Sequence, residues 1–283
     1  MAHQRDVPIR AQRDAPMRAQ RDILNDELLD CAVSLARQAG ELIRRGQPQA
    51  GRGVAVKSTP TDVVTELDLA SERLLVGELT RRRPGDAVLG EEGAAREGTT
   101  GVRWVLDPID GTVNYLYGLP WYAVSVAAEV DGVVDVGVVF CPETAELFRA
   151  VRGGGAWLGP RRLQCSAEST LGQALVSTGF GYDAARRREQ AAVAAALLPR
   201  IRDLRRLGSA ALDLCQLAAG RVDAHYERGL SYWDHAAGAL IAAEAGATVG
   251  GLRGAPAGTD CLVAAGPALF RTLRAALEEL IPA

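Results

Sequence analysis

V-R-W-V-L-D-P-I-D-G-T (Val102 to Thr112) opens as an apolar run and closes on two carboxylates, Asp107 and Asp110. Val102 to Leu106 is apolar enough to be a buried strand. Asp107 and Asp110 then emerge at the end of a buried element, where an unpaired charge is costly. Pro108 fixes one backbone angle between them, and Gly111 lets backbone approach a ligand closely. Thr112 is placed to cap a helix whose free N–H groups bind phosphate. Taken alone, P-x-D-G also fits a surface turn. The buried strand ahead of it favours a site, with metal ions as the natural compensation for the clustered charge.

Two further acidic groups sit at the ends of apolar stretches. Glu91-Glu92-Gly93 follow the strand-like A-V-L-G (Ala87 to Gly90), and Asp234 opens an apolar helix beside Trp233, with Glu227 seven residues earlier. A solvated loop would explain the first, and a simple N-cap the second, since Ser231-x-x-Asp234 fits a capping box. Together with Asp107 and Asp110, however, they would gather anionic oxygens around hard divalent cations. Mg²⁺ prefers oxygen ligands, and a phosphate ester needs its charge neutralised. The chemistry implied is that of a metal-dependent phosphatase.

Further outward, the first residues repeat an octet, Q-R-D-V-P-I-R-A (Gln4 to Ala11) and Q-R-D-A-P-M-R-A (Gln12 to Ala19). A polar repeat punctuated by prolines buries too little apolar surface to order itself, so residues 1–24 are expected to be a disordered tail. One phosphatase domain is expected over 25–283, in two αβ subregions of about 25–160 and 161–283. The apolar spacing predicts a helix from Asn25 to Arg45, stopped by Gly46, and a second helix running to about Arg82. Between Trp121 and Val151, three β-rich runs with turn signals at Asp131-Gly132 and Pro142-Glu143 predict an antiparallel meander. The triple glycine Gly153 to Gly155 reads as a turn. Downstream, strand-like runs at Ala174 to Gly179, Ile201 to Leu207, Arg221 to Tyr226 and near Leu262 alternate with helices over Ala184 to Leu198, Ser209 to Ala219, Asp234 to Ala245 and a last one through Leu280. Sheets alternating with helices predict an α/β layered sandwich with acidic strand ends converging on one crevice.

Composition narrows the function. A chain of 283 residues buries roughly 70% of its unfolded surface and needs no covalent staple. A net charge of -3 offers no footprint for wrapping nucleic acid, and the arginine clusters Arg81 to Arg83 and Arg186 to Arg188 read as solvated helix faces. Five scattered cysteines without C-x-x-C read as reduced core residues of a cytoplasmic protein. Apolar runs such as Ala191 to Leu198 are too short to span a membrane, and no secretory signal is apparent. Lys57 is the only lysine, which hints that a compact, titratable charge is wanted there. G-R-G-V-A-V-K-S (Gly51 to Ser58) fails as a nucleotide-binding loop, because Val56 stands where the second glycine is required. His3, His225 and His235 lack metal-ligand spacing, and no G-x-S-x-G elbow is present.

G-E-E-G (Gly90 to Gly93), W-V-L-D-P-I-D-G-T-V-N-Y (Trp104 to Tyr115) and W-D-H-A-A-G-A-L-I-A-A-E-A-G-A (Trp233 to Ala247) together resemble the inositol monophosphatase family of lithium-sensitive, magnesium-dependent phosphatases. The likeness spans Leu28 to the C-terminus. It implies an αβαβα sandwich, a homodimer, and hydrolysis of inositol 1-phosphate to inositol and phosphate. It further implies that Glu91, Asp107 and the Ile109 carbonyl hold one Mg²⁺, that Asp107, Asp110 and Asp234 hold a second, and that Glu91 with waters holds a third. Gly111 and Thr112 would receive the phosphate, Asp68 and Thr112 would orient the attacking water, and Lys57 would lie just behind. Gly208, Ala210 and Glu227 would meet the substrate hydroxyls. Fructose 1,6-bisphosphate, histidinol phosphate and 3'-phosphoadenosine 5'-phosphate are alternative substrates within the same fold. A role as a partner of the transcription machinery is an alternative of a different class.

Overall fold

The computed structural model describes residues 9–47, 54–56 and 63–282. α1 (Ile9–Arg45) leads to a small antiparallel hairpin of β1 (Val54–Val56) and β2 (Val63–Thr65), and α2 (Glu66–Arg82) follows. The next strands are β3 (Ala87–Gly90), β4 (Ala95–Arg96), β5 (Val102–Asp110), β6 (Ala123–Val130), β7 (Val133–Cys141), β8 (Glu146–Val151), β9 (Gly155–Leu158) and β10 (Arg161–Arg162). The short helix α3 (Thr112–Leu116) sits between β5 and β6. These eight strands form one sheet in the order β10-β9-β8-β7-β6-β5-β3-β4, antiparallel except for the β3–β5 pair. A second sheet combines β11 (Leu175–Thr178), β12 (Asp203–Arg205), β13 (Ala224–Glu227), β14 (Thr248–Gly250) and β15 (Leu262–Ala265), ordered β12-β11-β13-β15-β14. Its helices are α4 (Ala184–Leu197), α5 (Ala210–Ala218), α6 (Tyr232–Glu244) and α7 (Pro267–Leu280).

Period-two alternation along the strands makes each sheet apolar on both faces, so each needs helices on both sides. On β5, Trp104 and Leu106 face α1 and α2, while Val105 faces α5 and α6. On β15, Leu262 and Ala264 pack toward α5 and α6, whereas Val263 and Ala265 meet α4 and α7. Four apolar layers therefore cement five structural ones: α1/α2, first sheet, α5/α6, second sheet, α4/α7. This is the αβαβα sandwich. The pair α5/α6 is its middle layer, which explains why every residue of α5 is buried.

The expected meander is present as β6, β7 and β8, turned at Asp131-Gly132, where both residues have positive φ. The glycine run turns β8 into β9. One difference lies at the start. α1 begins at Ile9 and not near Asn25, so residues 9–24 continue a helix where a disordered tail was expected. Pro16 argues for a helix end, but the alanines, arginines and glutamines around it are strong helix formers. Arg21 also anchors this extension, its Nε donating to the buried Asp135 at 2.7 Å. Residues 1–8 of the expected tail lie outside the described residues.

Candidate active site

In a regular strand Asp107 and Asp110, three residues apart, would point to opposite faces. β5 avoids this with a bulge. Asp107 pairs with Ser125 and Asp110 with Ala123, so β5 uses one more residue than β6 between the two pairings, and alternation is reset. Pro108, which has no N–H to give, sits inside the irregularity. The strand therefore runs on to Asp110, past the apolar run Val102 to Leu106. Gly111 follows at φ +95°, and a Cβ there would lie 3.0 Å from the Trp121 carbonyl oxygen and 3.1 Å from that of Gly208. Both the backbone conformation and the space demand glycine. Gly111, not Thr112, is the N-cap of α3, and Thr112 is its first helical residue. Thr112 Oγ1 instead lies 3.0 Å from both the Ile109 carbonyl oxygen and Oδ1 of Asp68, a fully buried carboxylate on α2.

Local backbone fixes each carboxylate. The Ile109 N–H donates to Asp107 Oδ1 (3.1 Å). Ser209 Oγ (2.6 Å) and the Ala211 N–H (2.7 Å) both donate to Asp110 Oδ2, tying the end of β5 to the start of α5. The Ser231 N–H donates to Asp234 Oδ2 (2.7 Å), so the capping-box reading of Asp234 is correct. It coexists with a place in the cleft. The turn carrying Glu91 is organised by Glu72 of α2, whose carboxylate accepts from the N–H groups of Glu92 (2.8 Å) and Ala94 (3.0 Å).

These elements enclose a cleft of about 440 Å³ lined by Glu91, Asp107, Ile109, Asp110, Gly111 and Thr112 from the first half of the chain. Gly208, Ala210, Glu227 and Asp234 line it from the second half. The structure thus brings together every sequence-derived site residue except two. Asp68 lies behind the lining, bonded to Thr112, and Lys57 lies outside the described residues.

Among the described residues the central carboxylates lack a counter-charge. Burial raises the Asp107 carboxyl well above its usual range, and the charges of Glu91, Asp110 and Asp234 add to the shift, as does a hydrogen bond shared with Glu91. Asp234 is raised the same way, by burial first and then by Asp110 and Glu91. Burial raises Asp110 only to about 6, because the Ser209 and Ala211 donors favour its charged form. Among the described residues no arginine or lysine pairs with Asp107, Asp110 or Asp234. Their donor set is all oxygen, which suits a hard divalent cation. As they stand, no three His, Cys, Asp or Glu side chains among the described residues are gathered tightly enough to hold one ion.

Glu227 also lines the cleft. Burial pushes its carboxyl up to about 8, Asp110 adds to the shift, and Arg206 opposes it. Gly179 packs so closely that a Cβ there would fall 2.0 Å from Glu227 Oε1. Sequence reasoning missed Glu72, whose partners lie far from it in the chain. It also passed over Ser209, between Gly208 and Ala210, and Arg206, and it read Arg186 as part of a solvated helix face although Arg186 lines the cleft.

A layered αβαβα sandwich with paired sheets and a carboxylate-lined cleft at the strand ends defines a phosphatase of the sugar-phosphate type. The chain belongs to the inositol monophosphatase family, whose profile matches residues 24–281. Members of this family are generally metal-dependent. The chain is 48% identical over 273 residues to an inositol-1-monophosphatase of Mycobacterium leprae, covering 89% of this chain and 94% of the relative. The solved structure of SuhB from Mycobacterium tuberculosis superposes with a TM-score of 0.77 at 43% identity, covering 90% of this chain and 97% of the other. A Nus factor SuhB of Pasteurella multocida is 39% identical over 250 residues, covering 87% of this chain and 94% of that protein. Among the described residues, no helix is long and apolar enough to cross a membrane.

Proposed function

We propose that the protein is a Mg²⁺-dependent phosphomonoesterase that hydrolyses inositol 1-phosphate to inositol and phosphate. The observation that carries this reading is the group of carboxylates Asp107, Asp110 and Asp234 around one cleft, which have no basic partner among the described residues, an arrangement whose charge calls for cations. Glu91, Asp107 and the Ile109 carbonyl would hold one Mg²⁺, Asp107, Asp110 and Asp234 a second, and Glu91 a third. Bound there, the ions supply Lewis acidity, neutralising phosphoryl oxygens and making water a better nucleophile.

The chain's own residues do the rest. The backbone N–H groups of Gly111 and Thr112 receive the phosphate, and the Asp68–Thr112 pair orients the attacking water in line with the leaving oxygen. Gly208, Ala210 and Glu227 face the substrate hydroxyls, and Lys57 contributes a positive charge behind the ligands. The relative named inositol-1-monophosphatase supports this substrate. The working form is a cytoplasmic, lithium-inhibited homodimer.

The test is Asp107→Asn, which should abolish turnover of inositol 1-phosphate while circular dichroism stays unchanged; retention of most activity removes the metal cluster from the mechanism. A panel adding fructose 1,6-bisphosphate, histidinol phosphate and 3'-phosphoadenosine 5'-phosphate, with and without lithium, ranks the substrates. A second reading is favoured by the relative named a Nus factor: the protein also binds transcription complexes. Capture of such complexes by the inactive Asp107→Asn variant would support it, and failure of both forms to bind them would remove it.

A further inference from the structure

Another cavity, of about 320 Å³, shares no lining residue with the active-site cleft and lies between α1 and the turn from β8 to β9. One wall is a single face of α1, where Asp22, Asn25, Asp26 and Leu29 follow at helical spacing. The other wall carries Arg149 and Trp157. Asn25 is the residue that packing alone does not explain, because it is 4% exposed and its Oδ1 has no hydrogen-bond partner. A buried amide without partners is costly, and a leucine there would carry no such cost.

The frame around the cavity is tied together. Arg21 of α1 donates to Asp135 Oδ2 at 2.7 Å, and Arg152 of the turn pairs with Oδ1 of the same carboxylate at 3.3 Å. The N–H groups of Gly153 and Gly155 donate to Glu244 at 2.8 and 2.9 Å. The two walls are therefore held apart by fixed contacts. Asp22, Asp26 and Arg149, by contrast, make no hydrogen bond or ion pair among the described residues. The Arg149 guanidinium rests over the Trp157 ring, 6.0 Å from its centroid. Opposite charges thus line opposite walls of one cavity without meeting.

A simple cation would satisfy the α1 wall and leave Arg149 without a partner, whereas a simple anion would meet two carboxylates. A molecule carrying both charges suits both walls. We infer that this cavity binds a zwitterionic amino acid, with its ammonium held by Asp22, Asp26 and Asn25 Oδ1, its carboxylate by Arg149, and an apolar side chain against Leu29 and Trp157. The volume lies at the lower end of the range for small-ligand sites, as one such molecule requires. The site is independent of the phosphatase reading.

Isothermal titration of the full chain with leucine and phenylalanine tests the inference, with 4-methylpentanoate and isoamylamine as leucine analogues that lack the amine and the carboxylate. At least one amino acid should bind with a millimolar or tighter Kd, and each leucine analogue on the order of 10-fold or more weaker than leucine. Asn25→Leu, Arg149→Gln and the double variant Asp22→Asn/Asp26→Asn should each weaken amino-acid binding on the order of 10-fold. Because Asn25→Leu removes an unpartnered amide, it should melt no lower than wild type, so its lost affinity is not lost folding. Isoamylamine binding as tightly as leucine would mean a cation site, and 4-methylpentanoate doing so an anion site; either overturns the inference. So would failure of both amino acids to bind, or an affinity that none of the substitutions moves.

Discussion

Replacing Asp110 with Asn removes a charge that the metal-free protein must hold buried. Its carboxyl is raised from 3.8 to about 6, with burial as the main cause. Between those values the folded chain binds more protons than the unfolded one, so this group's contribution to stability falls as pH rises and reaches its full penalty above about 6. At about pH 7.5 the penalty is about 3 kcal/mol, and at about pH 5 it is about half of that. Both are upper bounds, because Asp110 keeps a partly open edge toward the cleft. Asn keeps an oxygen for the Ser209 and Ala211 donors and carries no charge. With chelator present, Asp110→Asn should therefore be more stable than wild type near neutral pH, by up to about 3 kcal/mol, with the gain roughly halved at about pH 5. The buried His225 and His235, depressed to about 3 and about 4, lose stability in the same acid range, but they do so in both proteins and cancel in the difference. Urea denaturation at the two pH values, with and without Mg²⁺, measures the effect, and Mg²⁺ should close or reverse the gap while the variant stays inactive. A metal-free variant no more stable than wild type near neutral pH, or a gain that does not shrink on acidification, would refute the reasoning.

Gly179→Ala should push the Glu227 carboxylate out of place and raise KM for inositol 1-phosphate on the order of tenfold with a smaller change in kcat; an unchanged KM would separate Glu227 from substrate binding. Glu72→Ala leaves the Glu92 and Ala94 N–H groups without an acceptor, which should cost about 2–5 kcal/mol and raise the Mg²⁺ concentration needed for half-maximal activity. Calorimetry and a metal titration check the two parts, and normal Mg²⁺ activation would detach Glu72 from the site. Ser209→Ala removes both the N-cap of α5 and a donor to Asp110, and should cost about 1–2 kcal/mol in denaturant melts while lowering turnover.

The parts of this molecule legible in its sequence are those where one residue carries its own physics. Asp107, Asp110 and Asp234 advertise themselves as charges beside apolar runs, and Asp131-Gly132 marks a turn because its backbone conformation admits few residues. The layer order could be anticipated because helices and strands alternate in the second half. What stayed hidden depends on partners distant in the chain. Nothing marks Glu72 apart from the other polar residues of α2 until the turn at Glu92 folds against it. Short strands such as β4 and β10 exist only because a neighbour offers its edge. The β5 bulge hid behind a motif that also fits a surface turn, and the opening of α1 was masked by a proline whose effect the surrounding helix formers outweigh.

In the proposed function each of the three central carboxylates would be used twice. One oxygen is pinned by adjacent backbone: Asp107 by Ile109, Asp110 by Ala211, Asp234 by Ser231. A group held this way loses little rotamer freedom when a cation arrives, so the site is ordered before it is filled. The pinning is unequal, and this has a chemical consequence. Asp110 gains two donors and keeps its charge at neutral pH, whereas Asp107 has one donor and shares a hydrogen bond with Glu91, which favours its protonated form. Proton release on metal binding should therefore come from Asp107 and Asp234, both raised well above the usual carboxylate range, more than from Asp110, so the affinity for Mg²⁺ should rise with pH. Calorimetric titration with Mg²⁺ in buffers of different ionisation enthalpy counts the protons released. Release of no protons at neutral pH would show that burial does not hold these carboxyls protonated.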